Sequence, residues 1–518
     1  VKVTIDGRTL DVTAGKTIIQ AAHEAGIVVP YYCYHPGLVP DGNCRICLVE
    51  VEKAPKLMVA CKTPVTEGMV VNTGGARVDE ARRSVMEFLL VNHPIDCPVC
   101  DQAGECKLQD YYYDYDLADS RFKEDKNHKP KVQIFGEHVA FDGERCILCS
   151  RCVRFTRDVS ETHELGIFER GDHSVIGLAP GRTLDNPYSL NVVDICPVGA
   201  LTSRDFRFRK RVWMLDETAS VCPGCSRGCA TSLDHHRRED KIYRIRPRKN
   251  MQANGYWMCD AGRFMMNVAE QGRRDGHRVD GIGATLEVAA ARTAALLGGG
   301  RVGVLLSRWS SNEELLALRG LVRALPDAVV ALGEDRVAAA GEVVEDDFLI
   351  EADKNPNRTG ARRLFGLADD DGLPALRKAL AAGDIETLLV VGNGAARVLG
   401  VDVLRPAHVV HLSAHADDLG RPAEIELAGR VWAEKRGSFT SSAGVIAAFE
   451  PALRGPAGAA DDLAIIAAIG KGLKLTLPAT AEAAFVQLAE ELPELGGLDF
   501  AALRAATAAS AALRTEAG

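Results

Sequence analysis

Cysteine is missing from half of this chain. The 518 residues hold 15 cysteines, all between Cys33 and Cys259, and none follows. Long apolar runs are missing as well: no stretch of about 18 uncharged apolar residues occurs, which excludes an ordinary transmembrane helix. The opening Val1-Lys2-Val3-Thr4-Ile5-Asp6-Gly7 lacks an apolar signal core and reads as a strand entering a turn, so nothing in it sends the chain through a membrane. Positive charge is not in excess. The formal net charge of −9 argues against general nucleic-acid binding, which needs a basic footprint. Nor is there the bias of disorder, collagen or coiled coil, since 47% hydrophobic and 26% charged residues are ordinary for folded soluble proteins. The length predicts about three or four domains. An odd number of cysteines, grouped as C-x-x-C pairs without a signal peptide, points to metal ligation rather than disulfides.

Residues 1–12 alternate about Asp6-Gly7 as a hairpin, and Thr17 to Gln20 offers a capping box for a short helix ended by Gly26. This is a small α+β pattern. Ala14-Gly15-Lys16-Thr17 is not a phosphate loop, because Leu10 stands where that motif requires glycine. From about 78 to 215 the chain is loop-rich, with a polar connector from Asp116 to Lys131. Beyond about 265 it becomes Ala/Leu-rich. Strand-like runs at Val302–Leu306, Val329–Leu332, Leu388–Gly392 and Val409–Leu412, with a helix capped at Ser311 and running to Leu325, predict a parallel α/β layer.

Four ligand groups stand out. The first, Cys33-x10-Cys44-x2-Cys47-x13-Cys61, has the shape of a [2Fe–2S] loop, and Gly42 lets the backbone turn so that amides face the sulfurs. Zinc is the alternative there. The second is His93, Cys97, Cys100 and Cys106. A lone histidine is usually structural, but 15 cysteines make three sets of four and one of three, and His93 stands just ahead of the incomplete set. Imidazole in place of thiolate raises a cluster's potential. The third, Cys146-x2-Cys149-x2-Cys152 with remote Cys196-Pro197, is the bacterial ferredoxin [4Fe–4S] pattern, and the absence of a second triple before Cys196 limits it to one cluster. The fourth, Cys222, Cys225, Cys229 and Cys259, suits another [4Fe–4S] cube, with a zinc knuckle as the alternative. Two basic runs, Arg204/Arg207/Arg209/Lys210/Arg211 and Arg244/Arg246/Arg248/Lys249, read as solvated faces; the sharper reading is that they offset anionic clusters or meet an acidic partner. Tyr111-Tyr112-Tyr113-x-Tyr115 reads as packing around the second group.

With these motifs in view, the chain resembles the large iron–sulfur subunits of respiratory complex I, the NADH:quinone oxidoreductase. The match rests on His93-Pro94 to Cys106-Lys107-Leu108-Gln109, on Asp41 to Cys47, and on Gly143 to Arg154 with Cys196-Pro197, and it covers about residues 1–265. The resemblance implies a multidomain α+β and α/β chain: a β-grasp [2Fe–2S] ferredoxin domain (1–77), a [4Fe–4S] domain with one His and three Cys ligands (78–117), a ferredoxin-like [4Fe–4S] domain (118–214) and a Mo/W-oxidoreductase-type [4Fe–4S] domain (215–271). Residues 272–518 would form a shortened, degenerate α/β domain related to molybdopterin oxidoreductases, on the similarity of Ala423–Leu427 and Trp432–Thr440 to a stretch of that family. No cysteine there ligates molybdenum, and Gly298-Gly299-Gly300 precedes its strand, so it is no dinucleotide fingerprint.

The expectation is therefore an electron wire with no complete catalytic site of its own. It would carry one [2Fe–2S] and three [4Fe–4S] clusters, and no molybdopterin, FMN or NAD. By resemblance, electrons come from a separate flavin- and NADH-binding subunit, cross the first, third and second groups, and leave towards a quinone module. The fourth group is similar to an extra cluster of some bacterial members, lying off that path. Its place would be the cytoplasmic side of a bacterial inner membrane, peripheral, in the hydrophilic arm. The alternatives are an iron–sulfur subunit of an NAD-linked hydrogenase or formate dehydrogenase, and a zinc-stapled scaffold.

Overall fold

The computed structural model describes residues 1–115, 120–404, 408–417, 419 and 422–512. The expected boundary at 117/118, the start of the Asp116–Lys131 connector and the last residues of the expected final domain lie outside the described residues. The chain divides into two compact units, Val1–Met214 and Leu215–Ala512.

The first unit opens with strands Lys2–Ile5 and Arg8–Asp11, joined where Asp6 and Gly7 both take positive φ, as a tight hairpin turn requires. Lys2–Ile5 pairs parallel with Val70–Asn72, which continues antiparallel to Leu48–Val51 and then Met58–Val59. Helix Ile18–Glu24 buries Ile18, Ile19, Ala21 and Ala22, and the expected Thr17/Gln20 capping box closes its start, with Gln20 accepting from the Thr17 amide at 2.9 Å. A mixed sheet holding one helix is the β-grasp arrangement. Lys16 pairs with Glu24 at 2.6 Å. Helices Ala76–Leu90 and Lys107–Asp114 flank the second ligand group. A three-stranded sheet of Gln133–Ile134, Val139–Phe141 and Leu201–Ser203, with helix Arg151–Asp158 and hairpin Leu165–Phe168/Val175–Leu178, frames the third.

In the second unit, antiparallel strands Asp216–Val221, Ala230–His236 and Lys241–Pro247 precede a seven-stranded sheet. Five of its strands are parallel: Val329–Leu332, Val302–Leu306, Thr387–Val391, His408–Ser413 and Ile425–Ala428, in that spatial order. The hairpin His277–Val279/Ile282–Ala284 extends the edge antiparallel. Every residue of Val302–Leu306 and Thr387–Val391 is buried, which is why both read as unbroken apolar runs. Burying side chains such as Val304, Leu306 and Leu389 contributes about 1.5–3 kcal/mol each. Helix Asn312–Arg323 is capped by Ser311 and Glu314 as expected and ends two residues before Leu325.

The second basic run is not a solvated face. Arg244 and Arg246 alternate along one strand and converge on buried Asp234, and Arg248 is fully buried, donating to the carbonyls of Thr231 and Ser220. Period-two spacing on a covered strand turns these cations inward.

Candidate metal centres

All fifteen cysteines are free thiols. In the first group Cys33, Cys47 and Cys61 are fully buried and Cys44 partly so. Hydrogen bonds among the four thiols pull Cys33 and Cys47 below the usual thiol range and push Cys44 and Cys61 above it. Amides of Gly42 and Cys44 point at the Cys33 sulfur. Gly42 holds φ +78° to allow this, and Arg45 beside it holds φ +63°, a conformation that a side chain adopts at a cost of about 1–2 kcal/mol.

The second group lines one cavity of about 770 Å³, into whose wall His93, Cys97, Cys100 and Cys106 all project. Burial, then the charges of Lys126 and Arg145, lowers His93 to about 4, leaving the neutral imidazole that metal ligation needs. Its Nδ1 is buried without a hydrogen-bond partner. Burial raises Cys100 and pushes Cys106 up to about 12. The aromatic run packs only in part: Tyr111 is buried against Tyr32, while Tyr112 and Tyr113 line the cavity and are exposed. In the first basic run Arg211 donates to the carbonyls of Cys100 and Pro98.

Cys146, Cys149, Cys152 and Cys196 line a second, small cavity of about 20 Å³. Burial pushes all four thiols up, Cys149 to about 11. Amides answer them: Leu148 donates to Cys146 at 3.4 Å, and Val198, Ala200 and Leu201 face Cys196. Leu148 and Ser150 both hold positive φ in this loop. Arg151 lines the same cavity with its buried Nε unpartnered.

In the second unit, Cys222, Cys225 and Cys229 are buried at the end of the Asp216–Val221/Ala230–His236 hairpin, and Cys259 caps helix Asp260–Arg263. A Cβ on Gly262 would stand 3.0 Å from the Cys222 sulfur and 3.5 Å from that of Cys259, so both flank one backbone position. The Gly224 amide donates to Cys222 at 3.4 Å. Burial pushes Cys222 and Cys229 up, and Cys259 to about 12.

Thiols that burial holds protonated ionise outright when a metal supplies positive charge, and the orphaned His93 Nδ1 and Arg151 Nε lie in walls such a group would complete. Among the described residues no set of three or more His, Cys, Asp or Glu is shaped for a single metal ion.

The three groups of the first unit adjoin. Asn43 donates to the Leu148 carbonyl at 3.2 Å, Ser150 to Asp41 at 2.6 Å, and the Lys107 amide to the Pro197 carbonyl at 3.1 Å. A Cβ on Gly199 would lie 2.2 Å from the Cys100 sulfur. Sequence reasoning missed the bridging residues Arg151 and Arg154, whose signal was two arginines inside a cysteine loop.

The C-terminal sheet reverses its strand order beside Val302–Leu306, where an open α/β sheet offers a ligand crevice. Here Asp335 takes the donors itself, accepting from the Ser307 hydroxyl and the Arg308 and Asn393 amides, each at 2.9 Å. Asp417 accepts from the Gly394 and Ala395 amides at 2.8 and 3.3 Å. Burial raises Asp335 to about 6. These residues do not fit a phosphate-bearing pterin or dinucleotide, whose anion would meet Asp335.

Residues 1–75 match the 2Fe-2S iron-sulfur cluster binding domain, 82–121 the NADH-ubiquinone oxidoreductase-G iron-sulfur binding region, 136–202 the NADH-quinone oxidoreductase subunit 3 ferredoxin-like domain, and 215–271 the molybdopterin oxidoreductase Fe4S4 domain. The G-type NADH-quinone oxidoreductase chain of Rickettsia bellii is 43% identical over 275 residues, 53% of this chain and 40% of that protein. The mitochondrial NADH-ubiquinone oxidoreductase 78 kDa subunit of Neurospora crassa is 34% identical over 452 residues, 83% of this chain and 55% of that protein. A chain of an NAD+-reducing [NiFe]-hydrogenase crystal structure aligns at 29% identity and TM-score 0.37, covering 41% of this chain and 90% of that one. The chain spans about half the length of the curated relatives it matches. Over about its first half it is a relative of the large iron–sulfur subunits of complex I, built from one 2Fe–2S domain followed by 4Fe–4S domains.

Proposed function

We propose that this chain is the electron-relaying subunit of an NADH:quinone oxidoreductase, with one [2Fe–2S] cluster on Cys33, Cys44, Cys47 and Cys61. Three [4Fe–4S] clusters complete it, on His93/Cys97/Cys100/Cys106, on Cys146/Cys149/Cys152/Cys196 and on Cys222/Cys225/Cys229/Cys259. The observation that carries this reading is the lacing of the first three groups, whose loops hydrogen-bond to one another within one unit. When bound, such clusters exchange single electrons with little rearrangement. The protein's part is to bury the ligands, aim amides at the sulfurs and keep His93 neutral, each of which tunes a potential.

In this reading no pterin, FMN or NAD binds, and the self-satisfied crevice at Asp335 supports that. Electrons enter from a flavin-bearing subunit and leave towards a quinone module. The group-two surface, where Cys97, Ile95, Val99 and Tyr113 are exposed, suits an exit to a partner. Among the described residues no helix is long and apolar enough to cross a membrane. The proposed place is peripheral, on the cytoplasmic side of a bacterial inner membrane. Anaerobic purification followed by iron and sulfide analysis tests the proposal. About fourteen irons per chain are expected, from one two-iron and three four-iron sites. A pale, iron-poor protein overturns the reading, and oxidation of hydrogen or formate by the chain alone overturns the assignment as a relay.

A further inference from the structure

One guanidinium serves both the first and the third quartets. Arg154 is only 4% exposed. Its Nη2 donates to the carbonyl of Cys33, a ligand of the first group, and at 3.4 Å to that of Cys149, a ligand of the third. Its Nη1 donates to the Val39 carbonyl at 2.6 Å, and its Nε to Ser150 Oγ at 3.0 Å, while Ser150 in turn donates to Asp41. Arg151, one turn away, donates to the carbonyl of Tyr34 at 2.5 Å, next to Cys33, and to that of Ile195 at 2.8 Å, next to Cys196. Five donors in a rigid fork suit this task, and a lysine reaches fewer acceptors.

We infer that Arg154 is a positioning residue that fixes the spacing of the first and third quartets and, by one positive charge shared between them, holds the potentials of both clusters up together. The inference rests on the cluster assignment above. The route Cys33 carbonyl–Arg154–Cys149 carbonyl is a short hydrogen-bonded path from one ligand to the other. One electron leaves the first quartet and one arrives at the third; no bond forms or breaks, and the guanidinium stays protonated throughout. A charge buried between two sites favours the added electron on either, so its removal disfavours both.

The test uses the full-length chain loaded anaerobically, as wild type, Arg154→Gln and Arg154→Lys, read by iron and sulfide content and by EPR-monitored redox titration. In Arg154→Gln the iron content is expected to hold while both midpoint potentials fall together. In Arg154→Lys, which keeps the charge, both are expected to stay near the wild-type values. A glutamine variant in which one potential alone moves, or neither, overturns the inference and leaves the cluster assignment standing. If the glutamine variant loses iron, the lysine variant decides: full iron with unmoved potentials supports the shared charge. Iron loss from both variants reduces Arg154 to packing and overturns it. A wild-type chain that takes up no iron refutes the cluster assignment itself.

Discussion

A count of ligands nominates His93, and the structure gives it a physical situation that suits the role: a buried imidazole, kept neutral, with an unpaired Nδ1 in the wall of the cavity its three cysteines share. Replacing it by a fourth thiolate, His93→Cys, is expected to keep a cluster but lower one potential, because the thiolate adds negative charge to the ligand set. EPR-monitored titration checks this, and if every signal stays unmoved His93 is not a ligand. Asp234 shows what residue-level reading missed. Burial would raise its carboxyl, but Arg246 and Arg244 outweigh that and hold it at about 2. Asp234→Asn removes the carboxylate on which Arg244 and Arg246 converge, with Glu217 still accepting from Arg246, and is expected to cost about 2 kcal/mol in denaturant unfolding. The sign follows from linkage: a depressed carboxyl stabilises above its unfolded value of about 4, and the contribution is lost only as pH falls towards its folded value. The deficit is therefore expected to be equal at about pH 5 and about pH 8, where the group is ionised in both states; a deficit that shrinks between them would refute the pairing.

At the scale of elements, what was legible was local. The Asp6-Gly7 turn, the Thr17 capping box, the Ser311 cap and the buried parallel strands depend on neighbours within a few residues, and all formed where their patterns stood. Ligand spacing is local in the same sense. What the spacing could not give is which loops pack together, since Arg154 reaches Cys33 across 121 positions and Asp335 meets Asn393 across 58. The Cys196-Pro197-Val198-Gly199-Ala200 segment is the clearest case. In sequence it is a ligand loop of one group, yet Gly199 presses on the Cys100 sulfur of another. Gly199→Ala places a methyl at 2.2 Å from that sulfur, with Gln102 and Arg145 at its sides. The variant is expected to lose about four irons and the EPR signal of the His93 quartet, while the other signals persist. Retention of every signal would show that the cysteine can yield.

For the molecule as a whole, the distribution of ligands between the two units makes a prediction that neither residues nor elements make alone. Three quartets lie within Val1–Met214 and one within Leu215–Ala512, each unit holding its ligands complete. No proposed cluster draws ligands from both units, so each unit's iron depends on its own fold. Limited proteolysis of the loaded chain between the units, followed by anaerobic separation, should therefore leave about ten irons with the N-terminal piece and about four with the C-terminal piece. The same partition separates the competing assignments of the fourth group. A zinc knuckle there would yield a colourless C-terminal piece beside a brown N-terminal one, whereas a [4Fe–4S] cube colours both. Release of iron from both pieces on cleavage would mean that the quartets depend on the intact chain, and the independence of the two units would fall with it.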